Sequence, residues 1–153
     1  MSPFARPLLL LLSIGCFFAS LPFDAAVYER AAHGGFFMLT MGWMGLMMLH
    51  FGWCANPMLF LGWAFLGLAK RQSARLITLV LFSLAMVFAL SSYVTLDVLD
   101  MIGRNEAEMA GELEHYGPSI YLWTLSIGIG LTGAILRWIE GKRELAAAQS
   151  TGR

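Results

Sequence analysis

The sequence predicts an all-α fold: a polytopic membrane helical bundle of four to five apolar helical segments. Its 153 residues are 58% hydrophobic and 13% charged, whereas globular chains are about 45–50% apolar and ~25% charged. The central residues 34–69 contain no Asp, Glu, Lys or Arg. Lipid is therefore the expected solvent, and we expect one integral membrane domain over residues 1–153.

The first apolar segment covers residues 7–22 and follows Arg6. A secretory signal peptide is the competing interpretation, because Ala25 and Ala26 resemble a small-residue cleavage site. We expect this segment to stay as an uncleaved first helix. A short polar connection, residues 23–33, is then expected to lead into the central stretch.

The central stretch is too long for one crossing. As one helix, residues 34–69 would extend about 54 Å at ~1.5 Å per residue, against a hydrocarbon thickness of about 30 Å. Asn56-Pro57 is the break signal, because proline lacks the N–H and disfavours helix at the preceding residue. We expect two apolar segments, 36–53 and 57–69, with the Asn56 side chain closing the turn and Trp53 near a membrane interface. They form either two short spans or one span and a half-helix.

The C-terminal half contains two further predicted spans, residues 76–96 and 118–138. Residues 97–117 between them hold six of the ten acidic residues. This acidic loop is expected to lie flat as an amphipathic helix. Residues 139–153 form a basic tail that is expected to fray.

Basic residues near membrane ends mark the cytoplasmic side. The 70–75 turn and the C-terminal tail should therefore be cytoplasmic. Five crossings with the N-terminus outside and four with it inside each place eight of the ten bases inside, so the number of crossings stays open. The turn Trp53-Cys54-Ala55-Asn56-Pro57 resembles turns of small bacterial inner-membrane proteins, which implies the bacterial inner (plasma) membrane as the location.

Two stripes of small residues are predicted to have a structural role. Such stripes let membrane helices approach closely. The first falls within about 100° on a helical wheel and comprises Gly35, Gly42, Gly45 and Gly52. The second has a spacing of four and comprises Ser126, Gly130 and Ala134.

Soft ligand types are concentrated in the central stretch, where thioether, imidazole and thiol groups form a set that suits Cu(I). The weak candidates for a metal site are Met41, Met44, Met48, His50 and Cys54. The three methionines share one helical face, whereas His50 and Cys54 lie on another side, and methionine also fills apolar cores without metal. Copper binding or transport is therefore the alternative hypothesis, and no cofactor is expected.

The sequence argues against an enzyme. No catalytic arrangement or phosphate-binding loop is recognisable, and no basic tract suits nucleic acid. We expect a non-enzymatic protein that acts through helix contacts with itself or a larger membrane partner, in contact with the lipid bilayer. A weaker alternative is a membrane immunity or sensing protein whose acidic loop meets an external ligand through Glu106, Glu108, Glu112 and Glu114.

Overall fold

The structure is a computed structural model that describes residues 5–48, 50–68, 71–102 and 113–151. Five α-helices lie in these ranges: α1 Ala5–Ser20, α2 Gly35–Met41, α3 Ala55–Leu68, α4 Gln72–Ile102 and α5 Pro118–Thr151. Two 3₁₀ segments, Gly42–Met48 and Phe51–Cys54, connect α2 to α3. Three strands are also present: β1 Asp24–Tyr28, β2 Ala32–Gly34 and β3 Leu113–Tyr116. The described part is therefore mostly helical, as predicted.

The four longer helices α1, α3, α4 and α5 form an antiparallel bundle. α1 packs mainly on α5, and α4 packs on both α3 and α5. Their contacts enclose an apolar core made of Phe17, Ala55, Leu59, Leu66, Phe82, Ala85, Ala89, Ile127 and Ala134. We call the end that carries the strands the sheet end, and the end with the α3–α4 turn the basic end.

The prediction of an all-α fold is wrong in one respect, because the sheet end carries a three-stranded antiparallel sheet of order β2-β1-β3. Residues 23–33, predicted as a plain polar connection, form the β1–β2 hairpin. Ala26 pairs with His33 on one side and with Tyr116 on the other. The sheet is completed by pairing of β1 with β3, which lies far along the chain. The local sequence around β1 does not indicate such a distant partner.

The prediction of one helical segment over residues 36–53 is also wrong. The chain leaves α-helical geometry at Gly42 and turns at His50, which has extended backbone angles. Glycine weakens a helix, and Gly42 and Gly45 both lie in the 3₁₀ segment. Pro57 does not break the helix, because it is the third residue of α3 and its missing N–H would have no intrahelical acceptor there.

The predicted basic tail, residues 139–153, is α-helical as far as Thr151, because α5 continues through it. Its fraying stays a prediction. Arg75 Nη2 lies 2.9 Å from Glu144 Oε2, and Lys142 Nζ lies 5.1 Å from the Trp138 ring centroid. These contacts attach the first turns beyond the apolar run to α4 and to the preceding turn, so the helix persists.

Two described helical stretches are long and apolar enough to cross a membrane, Gln72–Val94 and Pro118–Ser150. α1 has 16 residues and α3 has 14, below the ~20 residues of a typical span. Helix length therefore supports two crossings and does not support the predicted four to five. Of the predicted acidic loop, residues 103–112, which include Glu106, Glu108 and Glu112, lie outside the described residues. Residues 97–102 continue α4 and residues 113–116 form β3, so neither of these parts belongs to a separate amphipathic helix.

Candidate functional site

Residues 35–48 and 50–54 form a helical hairpin at the sheet end of the bundle. Its outgoing arm is α2 with Gly42–Met48, and its returning arm is Phe51–Cys54. Trp53 Nε1 donates a 2.9 Å hydrogen bond to the carbonyl of Leu39. A Cβ on Gly42 would lie only 2.9 Å from Trp53 Cδ1. Glycine at this position therefore lets the indole close the two arms against each other.

His50 lies at the turn of the hairpin. Its backbone N–H donates to the carbonyl of Gly45 at 2.9 Å, and a Cβ on Gly45 would lie 3.2 Å from His50 Cβ. His50 Nε2 is buried without a hydrogen-bond partner. Burial lowers the pKa of His50 because the charged ring would lose its hydration. The turn therefore favours a neutral imidazole.

Two further glycines attach the hairpin to the bundle. Gly35 is buried between the carbonyl of Ser20 in α1 and the hydroxyl of Ser119 in α5, and an added Cβ would overlap both. Gly52 faces Ser92 of α4, whose hydroxyl a Cβ would also overlap. The four glycines of the predicted stripe therefore each lie against different neighbours within this chain.

The predicted copper ligands have different surroundings. Met41 and Met44 are about half exposed, whereas Cys54 is a half-buried free thiol, and the Met48 side chain is outside the described part. The described residues hold no group of three or more His, Cys, Asp or Glu that could bind a metal ion. Copper binding stays a prediction, which purified protein that retains no Cu(I) under reducing conditions would contradict.

A polar cluster crosses the interior of the bundle between α1, α3 and α5. Ser13 Oγ donates to the carbonyl of Ser126 at 2.8 Å and accepts a 2.8 Å hydrogen bond from Trp63 Nε1. Ser13 and Ser126 are fully buried. Neither Ser13 nor Trp63 is among the site residues predicted from the sequence, although a lone serine within an apolar run is the signal of an interhelical hydrogen bond.

Asn56 has a different role from the one predicted. Its Oδ1 accepts a 2.9 Å hydrogen bond from Trp123 Nε1 of α5, whereas the sequence predicts that the side chain closes a local turn. Thr124 is the next residue of α5, and its hydroxyl lies 3.0 Å from that of Tyr93 in α4. The buried polar groups therefore link helices to one another.

The second predicted stripe lies inside the bundle. Ser126 contacts α1 as described, and Ala134 is 1% exposed. A Cβ on Gly130 would overlap the ring of Phe82 in α4. The stripe is thus used to bring α5 close to α1 and α4, and a partner would have to contact other surfaces.

The outer surface of the hairpin is apolar and exposed. The exposed fraction of Met47 is 81% and that of Phe36 is 62%. The other large apolar residues exposed on the hairpin are Phe37, Met41, Trp43, Met44 and Phe51. The hairpin therefore combines an inner face of glycines with an outer face of bulky side chains.

Comparison of the chain with protein-family models, with curated proteins and with solved structures found no match. The function is therefore argued from the contacts and exposure of the residues themselves. Two features stand out: the exposed apolar hairpin and the hydrogen-bonded polar groups inside an apolar bundle.

Proposed function

We propose that this chain is a non-enzymatic integral membrane protein whose helices α1, α3, α4 and α5 all cross the bilayer. The observation that carries the proposal is an apolar outer surface on every one of these helices. Large apolar side chains at least 40% exposed on the four helices include Leu11, Phe18, Phe60, Leu61, Val80, Val87, Val94, Leu125 and Ile135. Soluble proteins rarely expose continuous apolar surface of this extent.

The interior supports the same proposal. The buried polar residues of the four helices are Ser13, Ser20, Asn56, Thr78, Ser92, Ser119 and Ser126. Small polar side chains that hydrogen-bond across or along helices are typical of membrane bundles, where no hydrophobic effect draws one helix to another. Bulky apolar residues thus face outward, while small and hydroxyl-bearing residues hold the helices together.

Helix depth supports crossing by the two shorter helices. Ser20, at the end of α1, and Ser119, at the start of α5, both contact Gly35. At the other end, Arg137 of α5 donates to the carbonyl of Leu66 near the end of α3. α1 and α3 therefore occupy the same layer as α5, and local bilayer thinning accommodates their shorter length at modest cost.

Charge supports an orientation with both termini in the cytoplasm. The described basic end carries Arg71, Arg75, Arg137, Lys142 and Arg143, with Glu140 and Glu144 as its acids. The described sheet end carries Asp24, Glu29 and Glu114, with Arg30 as its base. The positive-inside rule therefore favours a cytoplasmic basic end, which agrees with the four-crossing alternative and with a bacterial inner membrane.

Topology is tested by accessibility in intact cells. In a chain with Cys16→Ala and Cys54→Ala, an impermeant maleimide should label Glu29→Cys from outside. Ser150→Cys should be labelled only after permeabilisation, and an N-terminal tag should be protected from external protease. An external N-terminal tag would show that α1 does not cross.

The proposed activity is helix contact with a second copy or with a larger membrane protein. Because the small-residue stripes are used within the chain, the partner would meet an outer face. α1 offers such a face, with Leu8, Leu11 and Phe18 on one side and exposed. Affinity capture from native membranes should recover a specific partner. Leu11→Trp on that face should lose the partner while keeping wild-type thermal stability. Val87→Trp on the exposed side of α4 is the matched control and should keep the partner.

A further inference from the structure

The outgoing arm of the hairpin has a regular exposed side. Phe37, Met41, Met44 and Met47 follow one another at spacings of four, three and three, and their exposed fractions are 50, 47, 53 and 81%. The opposite side of the arm contacts the bundle through Leu39, which packs against the apolar core. The arm is therefore apolar on its outer side as well as its inner side.

This surface has no feature that suits water. Residues 34–69 contain no charged side chain, and Thr40 bonds its hydroxyl back to the carbonyls of Phe36 and Phe37. A helix on a soluble protein normally turns a polar face to solvent. An apolar cover is needed over the exposed side.

The hairpin has a defined depth. It leaves the bundle where Gly35 meets Ser20 and Ser119, and it returns where Gly52 meets Ser92. Ser92 lies five residues before Asp97, the first charged residue after the apolar run of α4. On the topology proposed above, on which this inference rests, the hairpin therefore lies at the outer boundary of the hydrocarbon layer.

The outer face suits lipid better than a partner helix. Membrane helices associate through small residues that let backbones approach, yet Gly42 and Gly45 face inward against Trp53 and His50. The described side chains that face outward are bulky, chiefly Phe and Met. The returning arm packs on α4, whose own exposed side is apolar at Val87 and Val94.

We propose that residues 35–48 and 50–54 form a membrane-embedded interfacial anchor, whose outer face lies among the upper acyl chains of the outer leaflet. Trp43 lies on this arm and is 46% exposed, and tryptophan prefers the boundary between headgroups and acyl chains. The partner of this face is the lipid bilayer, and the anchor fixes the height of the adjoining sheet above it.

The anchor is tested by spin labels in protein reconstituted into phospholipid vesicles. The background is Cys16→Ala with Cys54→Ala, and the labelled variants are Met47→Cys, Val87→Cys and Ser150→Cys. Each label's collision rate is measured with oxygen, which concentrates in lipid, and with a water-soluble nickel chelate. The side chains of Met47 and Val87 are 81% and 61% exposed, so each position should carry a label without repacking the core.

We expect the Met47→Cys label to have an oxygen-to-nickel ratio at least severalfold above that of Ser150→Cys and below that of Val87→Cys. If the oxygen-to-nickel ratios of Met47→Cys and Ser150→Cys were equal while that of Val87→Cys was typical of lipid, the anchor would be wrong. The proposal that the four helices cross the bilayer would not be contradicted by that result. Protection of Met47→Cys from both reagents would also overturn it, because protein would then cover the face. Nickel access at Val87→Cys would contradict the proposed topology itself.

Discussion

Trp123 Nε1 donates a 2.9 Å hydrogen bond to Asn56 Oδ1, joining the start of α3 to α5 across 67 positions of the sequence. Asn56 is only 6% exposed, so its amide oxygen receives this donor out of contact with bulk solvent. The bond sets the position of α3 directly after the hairpin returns, and it therefore couples the hairpin to the bundle.

Removing one partner of this bond should destabilise the fold. Asn56→Leu would leave the indole N–H buried and unpaired, which costs roughly 1–3 kcal/mol. Trp123→Phe should cost a similar amount. The double variant should lose less stability than the sum of the two single variants, as measured by thermal unfolding in detergent. Additive losses would show that the two side chains do not interact.

Glycine positions in the helices should differ sharply in their tolerance of alanine. Gly130→Ala should destabilise by roughly 1–3 kcal/mol, as overpacking does, because the added Cβ overlaps the Phe82 ring. Gly15→Ala is the matched control, since nothing lies within 4 Å of its added Cβ. It should be neutral or stabilising by up to ~1 kcal/mol because alanine favours helix. Equal unfolding temperatures for both variants would contradict this account.

The sheet should depend on a close backbone approach at Gly117. Its N–H donates to the carbonyl of Ala25 at 3.0 Å, and an added Cβ would overlap the carbonyl group of Asp24. Because backbone cannot move aside as a side chain can, Gly117→Ala should separate β3 from β1. Hydrogen exchange at the amide of Val27, which lies on the β3 side of β1 as Ala25 does, should then accelerate at least tenfold.

A second glycine of the same sheet is the control for that measurement. Gly34 has extended angles that any residue adopts, φ −70° and ψ 156°, and the nearest atom to its added Cβ is 3.9 Å away. Gly34→Ala should leave the exchange of β1 unchanged. Acceleration in both variants would mean that the contact at Gly117 is not the cause.

Stability should fall in mild acid because of His50. Its pKa is lowered in the folded protein by burial, so the unfolded chain binds the proton more readily. The free energy of unfolding therefore decreases as the pH falls below about 6.5, the ordinary histidine value. His50→Gln should remove this part of the pH dependence in unfolding temperatures measured from pH 7.5 to 5. An unchanged pH profile in that variant would assign the effect to other groups.

The long uncharged runs allowed α4 and α5 to be located from the sequence, because apolar length is a local property. The hairpin could not be predicted, since its closure depends on Trp53 reaching the Leu39 carbonyl. The partners of the buried polar groups are even more remote: Ser13 and Ser126 are 113 positions apart. A serine in an apolar run indicates that a partner exists, but only the packed helices show which one.

The order of β1 and β3 in the chain has a consequence for biosynthesis. Tyr28 pairs with Leu113, so 113 − 28 = 85 residues of translation separate the central strand from its second neighbour. At about 5–20 residues per second, the ribosome needs roughly 4–17 s to cover that distance. α1 also waits for α5, its main packing partner. The nascent chain therefore exposes one edge of β1 and one side of α1 until its last helix emerges. A chaperone or insertase would bind these exposed surfaces during that interval.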